Sequence, residues 1–134
     1  MIRTFIDTGV LIAAARGTDE TVQTAVNILQ DPNREFASSP YLRLELLPKA
    51  IYNKRQPEII FYEAYFGMVE HWATDLDAIM AAAYREVAEF GLGSMDALHI
   101  AAAVAVGAEE FITNEKPQKS IHRTPSIRVI SIRS

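Results

Sequence analysis

Four acids in this sequence, Asp7, Glu45, Asp96 and Glu115, stand beside segments that read as strand ends or helix starts. Asp7 closes the run Ile2–Ile6, and Glu45 lies in the helical stretch after a weak second strand. Asp96 opens a helix that follows Ser94, and Glu115 comes just after Glu110–Thr113. In open parallel sheets ligands collect outside the carboxyl ends of the strands, so these are positions from which side chains can meet. Long stretches of chain separate the four, and only the fold can assemble them. Carboxylates crowded together raise one another's pKa, and such a cluster stays ionised mainly with a divalent cation among them. An all-oxygen donor set suits Mg²⁺, which keeps several waters and takes substrate phosphate as a further ligand.

Each acid taken singly also has a plainer role. Asp7 can cap the helix that follows it. Glu45, in the stretch LRLELL, can pair with Lys49 one turn later. Asp96 suits the dipole at the start of its own helix, worth about 0.3–1 kcal/mol. Glu115, between Asn114 and Lys116-Pro117, reads as a solvated loop acid. His99 follows Asp96 by three residues on the same helix face and is expected to pack and hydrogen-bond, since hard oxygen donors need no imidazole. His71 and His122 have no partner visible in the sequence.

The elements that must position these groups alternate between strand-like and helical runs. IRTFI at Ile2–Ile6 is a strand, and Val10–Ala15 a short helix closed by Gly17. Thr18 or Asp19 caps a second helix carrying Val22, Val26 and Leu29, broken at Asp31-Pro32. Phe36-Ala37 is a weak strand, and Ser38-Ser39-Pro40 starts a helix over Tyr41–Leu47 that kinks or breaks near Pro48. Pro57–Met68 is helical, and Met68–Ala73 reads better as a short strand than as more helix. Thr74 or Asp75 caps a helix to Phe90, and Ser94 caps another over Met95–Val106, ended by Gly107. Glu110–Thr113 and Ile127–Ile132 complete the set. Strands separated by helices imply right-handed βαβ units and a parallel sheet.

Composition narrows the class. With 134 residues and 49% apolar content the chain is the size of a single domain spanning 1–134. Its formal charge of −4 argues against broad phosphate neutralisation, so any nucleic-acid contact is local. The absence of cysteine excludes disulfide scaffolds, thiolate catalysis and Cys-ligated zinc. Asp7 and Arg16 leave the first apolar stretch too short for a membrane span, no export signal appears, and the cytosol is the expected compartment.

DTGVLIAA at the start, a lone Glu in LRLELL, SMDALHIAAA after Gly91-Leu92-Gly93, and FITNE after a strand occur in this order over nearly the whole chain. Together they resemble a PIN domain, most like the VapC-type toxin ribonucleases. The segment Gly91–Val106 carries the most specific part of the likeness. The resemblance implies a three-layer α/β/α fold with a parallel five-stranded sheet, and a carboxylate pocket that binds Mg²⁺ or Mn²⁺ and cleaves RNA. Asp7, Glu45 and Asp96 match the family's three principal acids. Glu115 stands where the family usually has Asp, one methylene shorter, and it is expected to reach metal directly, through water, or not at all. An antitoxin partner and a homodimer are further implications.

Phosphodiester hydrolysis is the reaction that these donors suit. Thr8, Ser94, Thr113 and Asn114 are candidates to support the acids, with turn and cap roles as the alternative. Lys49, Lys54, Arg55, Lys116, Lys119 and Arg123 bracket the second and fourth acids and can hold an RNA backbone, or simply form a wet rim. Tyr62, Tyr65, Phe66 and Trp72 are expected in the core or an interface rather than as platforms for bases. A receiver-type phospho-acceptor needs paired acids after its first strand, where Asp7 stands alone, and an Asp-x-Asp hydrolase meets glycine at position 9. The remaining competitor is a PIN fold that binds RNA or protein without cleaving.

Overall fold

The computed structural model describes residues 1–17 and 19–133. Five strands form one wholly parallel sheet: β1 (Ile2–Ile6), β2 (Arg34–Ser38), β3 (His71–Trp72), β4 (Glu110–Thr113) and β5 (Arg128–Ser131), in the order β3-β2-β1-β4-β5. Six α-helices connect them: α1 (Thr8–Arg16), α2 (Thr21–Leu29), α3 (Pro40–Tyr52), α4 (Gln56–Met68), α5 (Leu76–Phe90) and α6 (Ser94–Ala105). A 3₁₀ turn over Ser120–Arg123 precedes β5. The chain steps from β1 to β2 to β3 in one direction and returns to β4 and β5 in the other. Right-handed crossovers therefore place α1–α4 on one face of the sheet and α5–α6 on the opposite face. This is the three-layer α/β architecture that the sequence implies.

The central strands are buried on both faces, as a parallel sheet requires. Phe5 and Ile6 pair with Phe111 and Ile112, and the Phe5 and Phe111 rings stack at 5.5 Å. Tyr62, Tyr65 and Phe66 of α4 are buried in the same core, and Trp72 packs partly buried against it. Among the described residues no helix is long and apolar enough to cross a membrane.

Several boundaries differ from those read in the sequence. α3 runs through Pro48 to Tyr52. The proline sits on the wet side, and Leu44, whose carbonyl it leaves without an intrahelical donor, is exposed there too. β2 is longer than Phe36-Ala37, and β3 shrinks to His71–Trp72, because Met68 still belongs to α4 and only His71 and Trp72 pair with β2. Ser94 is the first residue of α6 rather than its cap, with Gly93 in the cap position and no side-chain bond there. Asp19 Oδ1 accepts from the Thr21 amide at 2.8 Å just before α2, but the cap position itself is held by Glu20 without a side-chain bond, and Thr18, the other candidate, lies outside the described residues. Ser39 and Asp75 cap α3 and α5 through the amides of Leu42 and Ala78.

Candidate active site

β1 and β4 are neighbours whose onward connections run to opposite sides, and a crevice opens at that switch point beyond their carboxyl ends. Asp7, directly after β1, stands in it. Its Oδ1 accepts from the Thr8 amide at 2.8 Å, which caps α1, and its Oδ2 accepts from Thr113 Oγ at 3.1 Å at the end of β4. The capping role and a place in the crevice are thus held by one side chain. Burial pushes the Asp7 carboxyl up to about 6, with the nearby Asp96 charge adding, while His99 and the Thr8 amide oppose the rise.

Glu45 projects from α3 and meets His99 of α6, not Lys49: His99 Nε2 stands 3.2 Å from Oε1. That bond holds the Glu45 carboxyl below its ordinary value despite partial burial. The His99 ring is almost fully buried, and among the described residues its Nδ1 has no partner and its one directed polar contact is with Glu45. Asp96, in the first turn of α6, is pushed upward by burial and then by the charges of Glu115 and Glu45. Glu115 is exposed, with its backbone tied on both sides. Its N–H donates to Thr113 Oγ at 3.1 Å, and its carbonyl accepts from His122 Nε2 at 3.1 Å and Ser131 Oγ at 2.6 Å.

All four acids line one cleft of about 620 Å³. Thr8, Thr113, Asn114, Lys49 and Arg55 line it too. Ser94 is exposed outside it, because it lies on the outer side of the first turn of α6. Lys54 sits in the turn between α3 and α4 with φ 56°, and Lys116 and Lys119 are exposed on the loop after β4, all outside the lining. Arg123 turns toward Gly91 at the end of α5, away from the cleft. Position 9 must be small here: a Cβ on Gly9 would come 2.9 Å from the Cβ of Asn114. Glycine lets the Asn114–Glu115 turn lie against α1.

Arg16, Asn53 and Glu58 also line the cleft and did not stand out in the sequence, and Tyr62, expected in the core or an interface, lines it as well. Arg16 had a signal, since Thr8, Ile12 and Arg16 recur at helical spacing; Glu58 reads only as a first-turn acid of α4. His71, without a visible partner in the sequence, reaches Glu35 Oε1 at 3.3 Å at the far end of the sheet. There Glu35, Glu70 and His71 offer ligand atoms within 4.8 Å of one another, the only such trio among the described residues. Arg3 Nε already meets Glu35 Oε1 at 3.0 Å, supplying a cation in place. The cleft acids stand further apart than that trio. Their all-oxygen donor set, with Asp7 and Asp96 made reluctant to ionise by burial first and by neighbouring carboxylates second, nonetheless fits a hard divalent ion.

A family model described as PIN domain matches residues 4–123. Among curated proteins no relative matches. Three solved structures share the fold over nearly all of each chain. The VapBC2 structure from Rickettsia felis, bound to a DNA fragment from their promoter, matches with TM-score 0.72 and 16% identity over 97% of this chain and 98% of that one. DNA-bound VapBC from Salmonella typhimurium matches with TM-score 0.70 and 19% identity over 98% and 99%. VapBC-1 from nontypeable Haemophilus influenzae matches with TM-score 0.70 and 18% identity over 99% and 100%.

Proposed function

From the premise that this chain belongs to the PIN-domain family, we propose that it is a metal-dependent endoribonuclease, the toxin of a toxin–antitoxin pair. The observation that carries this reading is the convergence of Asp7, Glu45, Asp96 and Glu115 on one cleft at the sheet's switch point. Asp7, Glu45 and Asp96 would hold Mg²⁺ or Mn²⁺, with Glu115 assisting from the end of β4. When bound, such a cation neutralises phosphate charge and lowers the pKa of water, which suits hydrolysis of an RNA phosphodiester.

The protein's own groups set the geometry for that chemistry. Thr113 and the Thr8 amide fix both oxygens of Asp7, so this carboxylate cannot rotate away. His99 fixes Glu45 from beneath. Lys49 and Arg55 give the otherwise acidic cleft cationic walls for the RNA backbone, with Thr8 and Asn114 beside the acids. The fold of the VapBC structures supports an antitoxin partner. Leu76, Met80, Tyr84 and Val87 form an exposed apolar stripe on α5 that suits a homodimer.

A second reading, a module that binds RNA or protein without cleaving, draws support from Glu115, whose extra methylene and exposure weaken its claim as a ligand. One experiment separates them. Purified protein is incubated with total tRNA and ribosomal RNA in Mg²⁺ or Mn²⁺, beside an EDTA control and Asp96→Asn protein. Cleavage requiring both metal and Asp96 is expected; no cleavage, or cleavage surviving in the variant, overturns the nuclease.

A further inference from the structure

The cleft has a second chemical end. Thr8, Ile12 and Arg16 on α1, and Glu45 and Lys49 on α3 with Asn53 at its C-terminal cap, line it at intervals of four residues, so each helix lays one stripe along it. Eight residues of helix rise about 12 Å, which sets Arg16 and Asn53 that far from the acid end. Arg55, Glu58 and Tyr62 of the α3–α4 turn and α4 close this end.

Glu58 organises it. The residue is buried, at 8% exposure, and its Oε1 accepts from Arg16 Nε at 2.8 Å and from Arg55 Nη1 at 3.5 Å. Its Oε2 accepts from the Tyr62 hydroxyl at 3.4 Å. Burial alone would raise the Glu58 carboxyl, and the two guanidiniums outweigh it, leaving the group below its ordinary value. Arg16 thus uses only Nε on the protein. Its side chain is 44% exposed, and among the described residues its two Nη groups bond no acceptor. Two arginines on one carboxylate leave a net positive charge, with Lys49 between them and the acids.

We propose that Arg16 and Arg55, pinned by Glu58, form a phosphate-binding subsite that grips the RNA backbone two helical turns from the four carboxylates. The inference rests on the reading that RNA occupies this cleft. A polyanion meets four acids at one end, and a chain of net charge −4 supplies no general attraction. The holding contacts must therefore be local and cationic. Planar guanidiniums with free Nη groups match phosphate oxygens two at a time, and Glu58 holds the Arg16 fork ready rather than leaving it to find its geometry.

The test is binding of a fluorescein-labelled ten-nucleotide RNA, followed by anisotropy in Mg²⁺ on the Asp96→Asn background. Two variants are compared with it: Arg55→Ala, which removes an exposed side chain, and the pair Arg16→Gln with Glu58→Gln, which keeps size and hydrogen bonding but removes both charges. Each is expected to weaken binding about tenfold, the loss of a charge-assisted contact. Each should also lower the slope of log K against log salt by about 0.7, as for one phosphate contact on a single strand. If Arg16 and Glu58 only staple α1 to α4, the double variant lowers the melting temperature while Kd and salt slope stay at the background values, and the subsite is overturned. Failure of the background protein to bind RNA, or arginine-dependent binding of a poly-glutamate peptide in its place, also overturns it. Cleavage by the parent protein is read separately: its absence removes the nuclease reading, while an arginine-dependent Kd in the same preparation still upholds the subsite.

Discussion

His99 Nε2 lies 3.2 Å from Oε1 of Glu45, a contact between α6 and α3 across 54 residues of sequence. One helix therefore supplies both Asp96 and, one turn later, the group that aims a second acid. Partners that orient a ligand typically contribute 10–100-fold in metal affinity. His99→Leu is expected to weaken Mn²⁺ binding by about that factor, and His99→Gln, which keeps a donor, by less. Calorimetric titration with Mn²⁺ checks both, with circular dichroism to confirm the fold. Equal affinity in all three proteins would remove His99 from the site.

Metal-free stability should depend on pH through Asp7. Its folded pKa of about 6 lies above the ordinary 3.8. The protonated acid therefore favours the folded state: this contribution is fully present below about pH 4 and is lost as pH rises through about 6. Asp7→Asn stays neutral throughout. In EDTA at pH 8 it is expected to unfold about 1–3 kcal/mol harder than the parent, with the gap closing toward pH 4. Urea denaturation across that range measures it. Mn²⁺ should stabilise the parent and leave the variant little changed.

Gly9→Ala tests the close approach of the Glu115 turn to α1. The new Cβ would meet the Asn114 Cβ at 2.9 Å, so the turn must shift. Overpacking of this kind costs about 1–3 kcal/mol. Chemical denaturation should show that loss, and cleavage should fall with it as Glu115 moves relative to Asp96.

Glu115 and Asp7 should differ in degree. Asp7 is buried and doubly bonded, whereas the Glu115 side chain is exposed and its backbone is held independently of its carboxylate. Asp7→Ala is expected to abolish cleavage, and Glu115→Ala to reduce kcat roughly tenfold, the scale of an assisting group. Single-turnover rates in Mn²⁺ distinguish them, and equal loss in both would make Glu115 a full member of the set.

Much of the fold was legible in local pattern. β1, β4 and the last strand read as short runs rich in β-branched and aromatic residues, and the stops at Gly17 and Gly91, which cap their helices at φ 63° and 72°, read directly. Those signals are local chemistry: left-handed backbone favours glycine, and a cap needs an oxygen at one position. The passage of α3 through Pro48 and the two-residue β3 were not, because each was decided by neighbours: solvent beside the proline and the pairing available on β2.

For the site, residue types and order along the chain determined by themselves which acids are present and where each stands relative to its strand. Strand order alone decided that the ends of β1 and β4 lie side by side, so that Thr113 reaches Asp7. Tertiary packing also decided that Glu45 turns to His99 rather than Lys49, and that Arg16 and Glu58, 42 residues apart, share one cleft with the acids. A single i,i+4 pair is worth only a few tenths of a kcal/mol, and the fold overrides it with a contact that gives the buried His99 Nε2 a partner. Side chains far apart in the chain meet only where the sheet and its helices bring them, and no local preference encodes that distance.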